Sequence, residues 1–394
     1  MTEHNAHHST RVVVVGGGYA GVIAANHLRL RPDVHITLVN PRPEFVERIR
    51  LHQLVTGSDD AVVDYGEILG EGIELVVDAA TRIDTQARQV ELFSGPPLPY
   101  DYLIYAVGSG SAQPAVPGAD EFAYPIADLE EAQRLTAALG ELHYGAPVCV
   151  VGAGPTGIET AAELAEQGRR VTLVCGAALG PYLSTPGRRS VAKRLHKLGV
   201  TIVDGPQATV TEVAADAVRL ADGRRLSSAV TIWTAGFGVP DLAARSGLRT
   251  DAIGRLLTDE TLTSVDDDRV VAAGDAAAPS DQPLRMSCQA AIPLGAQAAN
   301  TVLARIAGQS PAVINQAFTG QCISLGRAGG TVQIARTNDV PLPLYLGGRT
   351  AALIKEAVCK GTVSFLRREA RKPGSYFWLK GGGTRPAPEA VQTP

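Results

Sequence analysis

Cysteine is scarce in this chain: 394 residues contain five, Cys149, Cys175, Cys288, Cys322 and Cys359. No two are spaced as CxxC or as the ligands of a metal site, so no metal is expected and the thiols read as reduced and mostly structural. Charge of one sign is also missing. A formal net charge of −4 argues against nucleic acid as the main partner. Long apolar runs are absent too, since VVVVGGG is far too short to span a bilayer. The opening MTEHNAHHST has no basic stretch followed by an apolar one, so a cytoplasmic location is the expectation. What remains is a chain 45% hydrophobic and only 19% charged, long enough to bury two or three cores.

Two glycine-rich turns stand 136 positions apart, in RVVVVGGGYAGVIAANHL from Arg11 and PVCVVGAGPTGIETAAEL from Pro147. Each is a β-branched run, then GxGxxG, then an apolar helical pattern, which predicts two bound dinucleotides. Gly16 and Gly152 permit the turn out of the strand. Gly18 and Gly154 let backbone amides approach a pyrophosphate, and Gly21 and Gly157 let the helix sit against the sheet. The phosphates would then lie on a helix N-terminus. Further along, His35–Val39 ends in Asn40, where a ribose-binding side chain is expected about twenty residues past the turn. DYLIYAVGS (from Asp101), TIWTAGF (from Thr231) and VVAAGDA (from Val270) read as buried strands leading into Gly108, Gly236 and Gly274. Asp275 stands at the end of the last, placed to meet polyol hydroxyls.

That ordered set resembles the two-dinucleotide-binding flavoprotein reductases, and within them the branch of type II NADH dehydrogenases and apoptosis-inducing factor. The resemblance covers about Arg11 to Gly308. It implies an α/β fold of two Rossmann-like, doubly wound three-layer domains, one inserted in the other, plus a C-terminal α+β segment. The expected layout is an FAD domain at 1–122 and 257–312, an NAD(P)H domain at 123–256, a C-terminal interface domain at 313–380 and a disordered tail at 381–394. Gly16, Gly18, Tyr19, Ala20, Gly21, Asn40, Arg48, Ala80, Gly108, Gly274, Asp275, Gln289 and Ala290 become FAD contacts. Gly152, Gly154, Pro155, Thr156, Gly157 and Gly236 face NADH or NADPH. Glu159, in the first turn of the second helix, is implied at the nicotinamide and flavin edge, against the alternative of a helix-dipole partner.

Several departures from the family bear on the second substrate. Tyr19 to Gly57 holds no cysteine, which argues against thiol–disulfide chemistry, and Cys322 and Cys359 have no recognisable context for a pair. The segment SCQAAIPLGAQAAN keeps Gln289, but Pro293 and Leu294 replace the glutamines of the family's quinone site. Pro293 also predicts a restart or kink at Ile292. Strand Arg170–Cys175 ends without the acidic residue that rejects a 2′-phosphate, leaving NADPH acceptable, with Arg188 or Arg189 as candidate partners. In PEFVERIRLHQLVTG, Arg48 or Arg50 suits the pyrophosphate, and His52, next to Gln53, is the histidine best placed to handle protons, although a packed core histidine is the commoner case.

From Arg349 to Lys380 eight basic residues stand against two acidic ones. This basic amphipathic element has two uses open to it: an anionic membrane surface, or packing on its own protein or a second subunit as a homodimer. FTGQCISLGRAGGTVQIA before it reads as a hairpin turning at Gly329-Gly330. The expected function is hydride transfer from NAD(P)H to flavin N5, then electron transfer to an unknown acceptor, quinone-like or small organic. The alternatives are a soluble flavoenzyme acting on a specific metabolite, or a nucleotide-sensing interaction protein like apoptosis-inducing factor.

Overall fold

The computed structural model describes residues 9–381; the expected tail therefore lies, apart from Gly381, outside the described residues. Two five-stranded parallel sheets organise the chain. The first runs in the order Val270–Ala272, Tyr102–Tyr105, Thr10–Val15, Val34–Asn40, Ile73–Val77. The second runs Ala123–Pro125, Val230–Trp233, Pro147–Val151, Arg170–Val174, Thr201–Val203. All neighbours in both are parallel. Parallel strands covered on both faces need no polar alternation, which is why VVVV of Val12–Val15 is buried throughout. In each sheet the glycine-turn strand is central, so its turn opens at the carboxyl edge beside a neighbouring crossover, the usual place for a ligand in such sheets. A short antiparallel pair, Gly110–Ser111 with Phe237–Gly238, ties the segments leaving the two sheets.

The helices that follow the turns, Tyr19–Leu28 and Pro155–Glu166, are capped by Gly18 and Gly154, which supply no side chain to the first-turn amides. A Cβ on Gly21 would stand 1.8 Å from the Gly16 carbonyl oxygen, and one on Gly157 2.0 Å from that of Gly152. Only hydrogen fits at these two contacts, so each helix starts hard against its strand.

The C-terminal part is a three-stranded antiparallel sheet, Gly320–Ser324, Gly330–Ala335 and Pro341–Gly347, followed by a long helix, Gly348–Arg371. The helix packs on the Tyr19 helix and on the sheet, burying Ala351, Cys359, Val363 and Leu366. Its attachment is also polar. His27 Nδ1 lies 2.6 Å from Glu369 Oε1, and the same carboxylate accepts from the amides of Gly374 and Tyr376.

The restart expected at Ile292 does not occur. Cys288–Ile306 is one helix with Pro293 inside it. Proline removes the N–H that would bond to the carbonyl four residues earlier, and here that Gln289 carbonyl accepts from Gln316 Nε2 at 2.8 Å instead. A side chain from a distant loop thus replaces the missing helical bond.

Candidate active site

The first glycine turn opens into a cleft. Gly16, Gly17 and Gly18 form its floor, Ala106–Ser109 and Gly274–Asp275 one wall, and Asn40, Arg42, Arg48 and Tyr65 the rest of its rim. Gly16 holds φ +106°, and a Cβ there would run into the Ala106 carbonyl oxygen at 2.3 Å. On Gly18 a Cβ would meet nothing within 4 Å. The open side of the turn faces the cleft, where the uncapped amides of the Tyr19 helix favour an anionic group.

Asp275 supplies the second recognisable part. Its Oδ2 accepts from Ser109 Oγ at 2.7 Å and lies 3.7 Å from Arg48 Nη1. Its other oxygen, Oδ1, is buried without a hydrogen-bond partner. A buried carboxylate oxygen with no donor carries a cost of kcal/mol order unless a ligand hydroxyl supplies one. Arg48 is held by Ala127 O and Ser109 Oγ at 2.9 and 3.0 Å, and it lines the cleft. Arg50, the other pyrophosphate candidate, does not. It is buried against Asp59, Glu356 and Gln53. An amide-rich floor, a cation and an acceptor awaiting a polyol hydroxyl fit the phosphates and ribityl chain of FAD.

Other expected residues fall differently. Asn40 lines the cleft, yet its Oδ1 accepts from Gly17 N at 2.9 Å and its Nδ2 donates to Arg42 O at 2.8 Å, so it first braces the turn. Tyr65 does the same through Gly17 O at 2.8 Å. Ala20 and Gly108 line the cleft, as does the buried Tyr19. Ala80 sits in an antiparallel strand and does not itself line the cleft, and Ala290 is buried one residue short of Ala291, which does. The Gln289 amide is engaged by Thr319 and Gly320.

At the second turn Thr234 closes the crossover, donating to Val151 O at 2.9 Å. Gly152, Gly154, Pro155, Thr156 and Gly157 form the turn and first helical residues, with Gly236 at φ +84° opposite. Cys175 directly follows the neighbouring strand, Arg170–Val174. Burial, with Asp204 nearby, pushes its thiol up to about 12. All five cysteines are free, and burial raises each thiol, leaving them protonated.

Glu159 lies neither in the cleft lining nor at a solvent-exposed helix end. It is buried, with Lys355 Nζ at 2.9 Å from Oε1, the Ser324 amide at 2.9 Å from the same oxygen, and His52 Nδ1 at 3.8 Å from Oε2. Burial works against its ionised form, but the ammonium, His52 and the amide outweigh it and hold the carboxyl below its ordinary range. Burial likewise opposes the Lys355 charge, and Glu159 more than restores it. His52 Nε2 stands 3.6 Å from Glu163 Oε1. Desolvation keeps this imidazole below its usual pKa despite both carboxylates. Lys355, Glu163 and Tyr65 carry no sequence signal of these contacts, because their partners come from elements remote in the chain; Ser109 closes the DYLIYAVGS stretch, which marks its place beside the cleft but not its bond to Asp275.

The model of the pyridine nucleotide-disulphide oxidoreductase family matches residues 10–295. An NADH dehydrogenase-like protein of Mycobacterium tuberculosis is 32% identical over 352 residues, covering 81% of this chain and 86% of the relative. The type II NADH:quinone oxidoreductase Ndh of the same organism is 29% identical, covering 77% and 74%. Among solved structures, the sulfide:quinone oxidoreductase of Aquifex aeolicus superposes with a TM-score of 0.78 at 21% identity, covering 91% of this chain and 92% of that one. NDH2 from Plasmodium falciparum reaches 0.76 at 15% identity, covering 94% and 100%. The chain belongs to the pyridine nucleotide-disulphide oxidoreductase family, with the two-dinucleotide reductase fold. It is an FAD-dependent NAD(P)H oxidoreductase of the NADH dehydrogenase-like kind.

Proposed function

We propose that this enzyme takes reducing equivalents from NAD(P)H at the second glycine turn and delivers them to a quinone-type acceptor. The buried, unpartnered Oδ1 of Asp275 in the first glycine-turn cleft carries the reading, because it calls for a hydroxylated cofactor where FAD would lie. Asp275 and Arg48 would hold the ribityl chain and pyrophosphate, with the Gly16–Gly18 amides. FAD, when bound, accepts a hydride from the nicotinamide and passes electrons on; the protein contributes position and electrostatics. Gly152, Gly154 and Gly157 would seat the nicotinamide nucleotide, and the ionised Glu159 would act at its reacting edge.

One observation favours a small organic acceptor instead. Pro293 and Leu294 are buried, and the Gln289 amide is bonded within the protein, so the headgroup donors of the family's quinone site are not on offer. Reoxidation of the reduced enzyme, followed by stopped flow against ubiquinone and menaquinone analogues, oxygen and small carbonyl or nitro compounds, separates the two. Rapid quinone reoxidation supports the first reading; rapid reoxidation by a metabolite alone supports the second. Among the described residues no helix is long and apolar enough to cross a membrane. Of the basic C-terminal residues, Arg367 already pairs with Glu67, which favours packing on its own protein over lipid for this part of the helix.

A further inference from the structure

Glu159 is buried, and beside Lys355 it faces the imidazole of His52. The imidazole lies between two carboxylates of one helix, a turn apart, with Nδ1 3.8 Å from Glu159 Oε2 and Nε2 3.6 Å from Glu163 Oε1. Both gaps are a few tenths of an ångström beyond hydrogen-bond length, so a small side-chain movement closes either one. His52 Nε2 is buried and has no hydrogen-bond partner. Beyond it the chain of groups continues outward. Glu163 Oε2 accepts from Thr56 Oγ1 at 2.8 Å and from Ser58 Oγ at 3.2 Å, and Oε1 meets the half-exposed Arg327 at 3.1 Å. Ser58 is exposed.

We propose that Glu163 and His52 form a proton path from the surface at Ser58 and Arg327 to Glu159. The inference rests on the reading of the protein as an NAD(P)H dehydrogenase with an acceptor that takes up protons. NAD(P)H + H⁺ + quinone gives NAD(P)⁺ + quinol, so each turnover draws one proton from solvent beyond the hydride. Glu163, buried behind the exposed Ser58 and Arg327, takes that proton from their side and gives it to His52 Nε2, and Nδ1 passes its own proton to Glu159. Rotation of the ring then presents the bare nitrogen to Glu163 again and resets the imidazole for the next proton. A histidine that is neutral at rest suits this, having one N–H and one lone pair aimed at opposite partners. Four charged groups face it: Glu159 and Glu163 from the Pro155 helix, Lys355 from the C-terminal helix and Arg327 from the hairpin turn. The two cations limit how far the carboxylates raise its basicity, which keeps it from trapping the proton.

Two measurements test the path. In the first, NADH turnover is compared between a quinone, which consumes a proton, and ferricyanide, which takes electrons alone. His52→Gln and Glu163→Gln keep size and polarity but cannot relay, so the ratio of quinone to ferricyanide turnover should fall by about tenfold or more. A ratio unchanged in both variants overturns the proposal, since a structural role would slow both acceptors alike. The second uses ¹⁵N-histidine NMR of the holoenzyme without substrate, the His52 resonances being assigned by their loss in His52→Asn. The path predicts averaged nitrogen shifts from two exchanging tautomers, frozen to one by Glu163→Gln. A single tautomer in the wild type, indifferent to Glu163→Gln, also overturns it. Should the wild type oxidise NADH with neither acceptor, the functional reading fails, and the NMR result still decides the path.

Discussion

The ammonium of Lys355 and the carboxylate of Glu159 meet at 2.9 Å in the interior, joining the C-terminal helix to the second turn, not the first, of the Pro155–Glu166 helix. Two charges taken out of water hold each other's ionisation, and loss of one strands the other.

Glu159→Gln should therefore do two things. Flavin reduction by NADH should slow by about ten- to a hundredfold if the carboxylate acts at the nicotinamide edge, with FAD content unchanged. Lys355, left desolvated without its partner, should fall in pKa. A lysine whose folded pKa is depressed destabilises the fold while protonated, so stability of the variant should rise with pH toward the lysine range. The wild type, whose Lys355 is raised, keeps its contribution below the unfolded pKa and should show no such rise. Thermal melts across pH check the second point and stopped-flow flavin bleaching the first.

Asp275→Ala removes the carboxylate that Ser109 donates to in the first cleft and frees Ser109. Loss of a charge-assisted hydrogen bond of about 1.5–3 kcal/mol should weaken FAD retention by one to two orders of magnitude. Gel filtration followed by the flavin-to-protein absorbance ratio reads this directly.

At Cys175 the nucleotide preference should be modest, within about tenfold between NADH and NADPH, or about 1.4 kcal/mol. Cys175→Glu should move the ratio of kcat/KM values toward NADH. An unchanged ratio would mean that the strand end does not face the 2′ position.

Glu369 gives a pH dependence. Burial raises its carboxyl, but His27 and the amides of Gly374 and Tyr376 outweigh burial and hold it below the ordinary range. A depressed folded pKa stabilises above the unfolded value, about 4.3, and that contribution is lost as pH falls through the folded value. Acid should thus loosen the end of the Gly348–Arg371 helix first. Hydrogen exchange of that helix at falling pH checks it, and Glu369→Gln should be destabilising at pH 7 by about 1.5–3 kcal/mol, the difference vanishing in acid.

The glycine turns and buried parallel strands were legible because each is a local rule: a tight turn at Gly16, a close approach at Gly21, a continuous apolar run in Val12–Val15. Asp275 was legible because strand and carboxylate are adjacent in sequence. Lys355, Glu163 and Gln316 were not, since each acts across the fold on a partner more than 25 positions away, and a lysine or glutamine on a helical face reads as solvated until its neighbour is known. Pro293 misled for the same reason. A missing N–H predicts a broken helix only when nothing else satisfies the carbonyl, and Gln316 does.

The central claim meets its most direct test in the purified protein mixed anaerobically with NADH and then with NADPH while the visible flavin absorbance is followed. The account predicts a yellow protein with about one noncovalent FAD per chain, bleached by both nucleotides within the same order of magnitude. A colourless protein that cannot be reconstituted with FAD, or a bound flavin that neither nucleotide reduces, would contradict it.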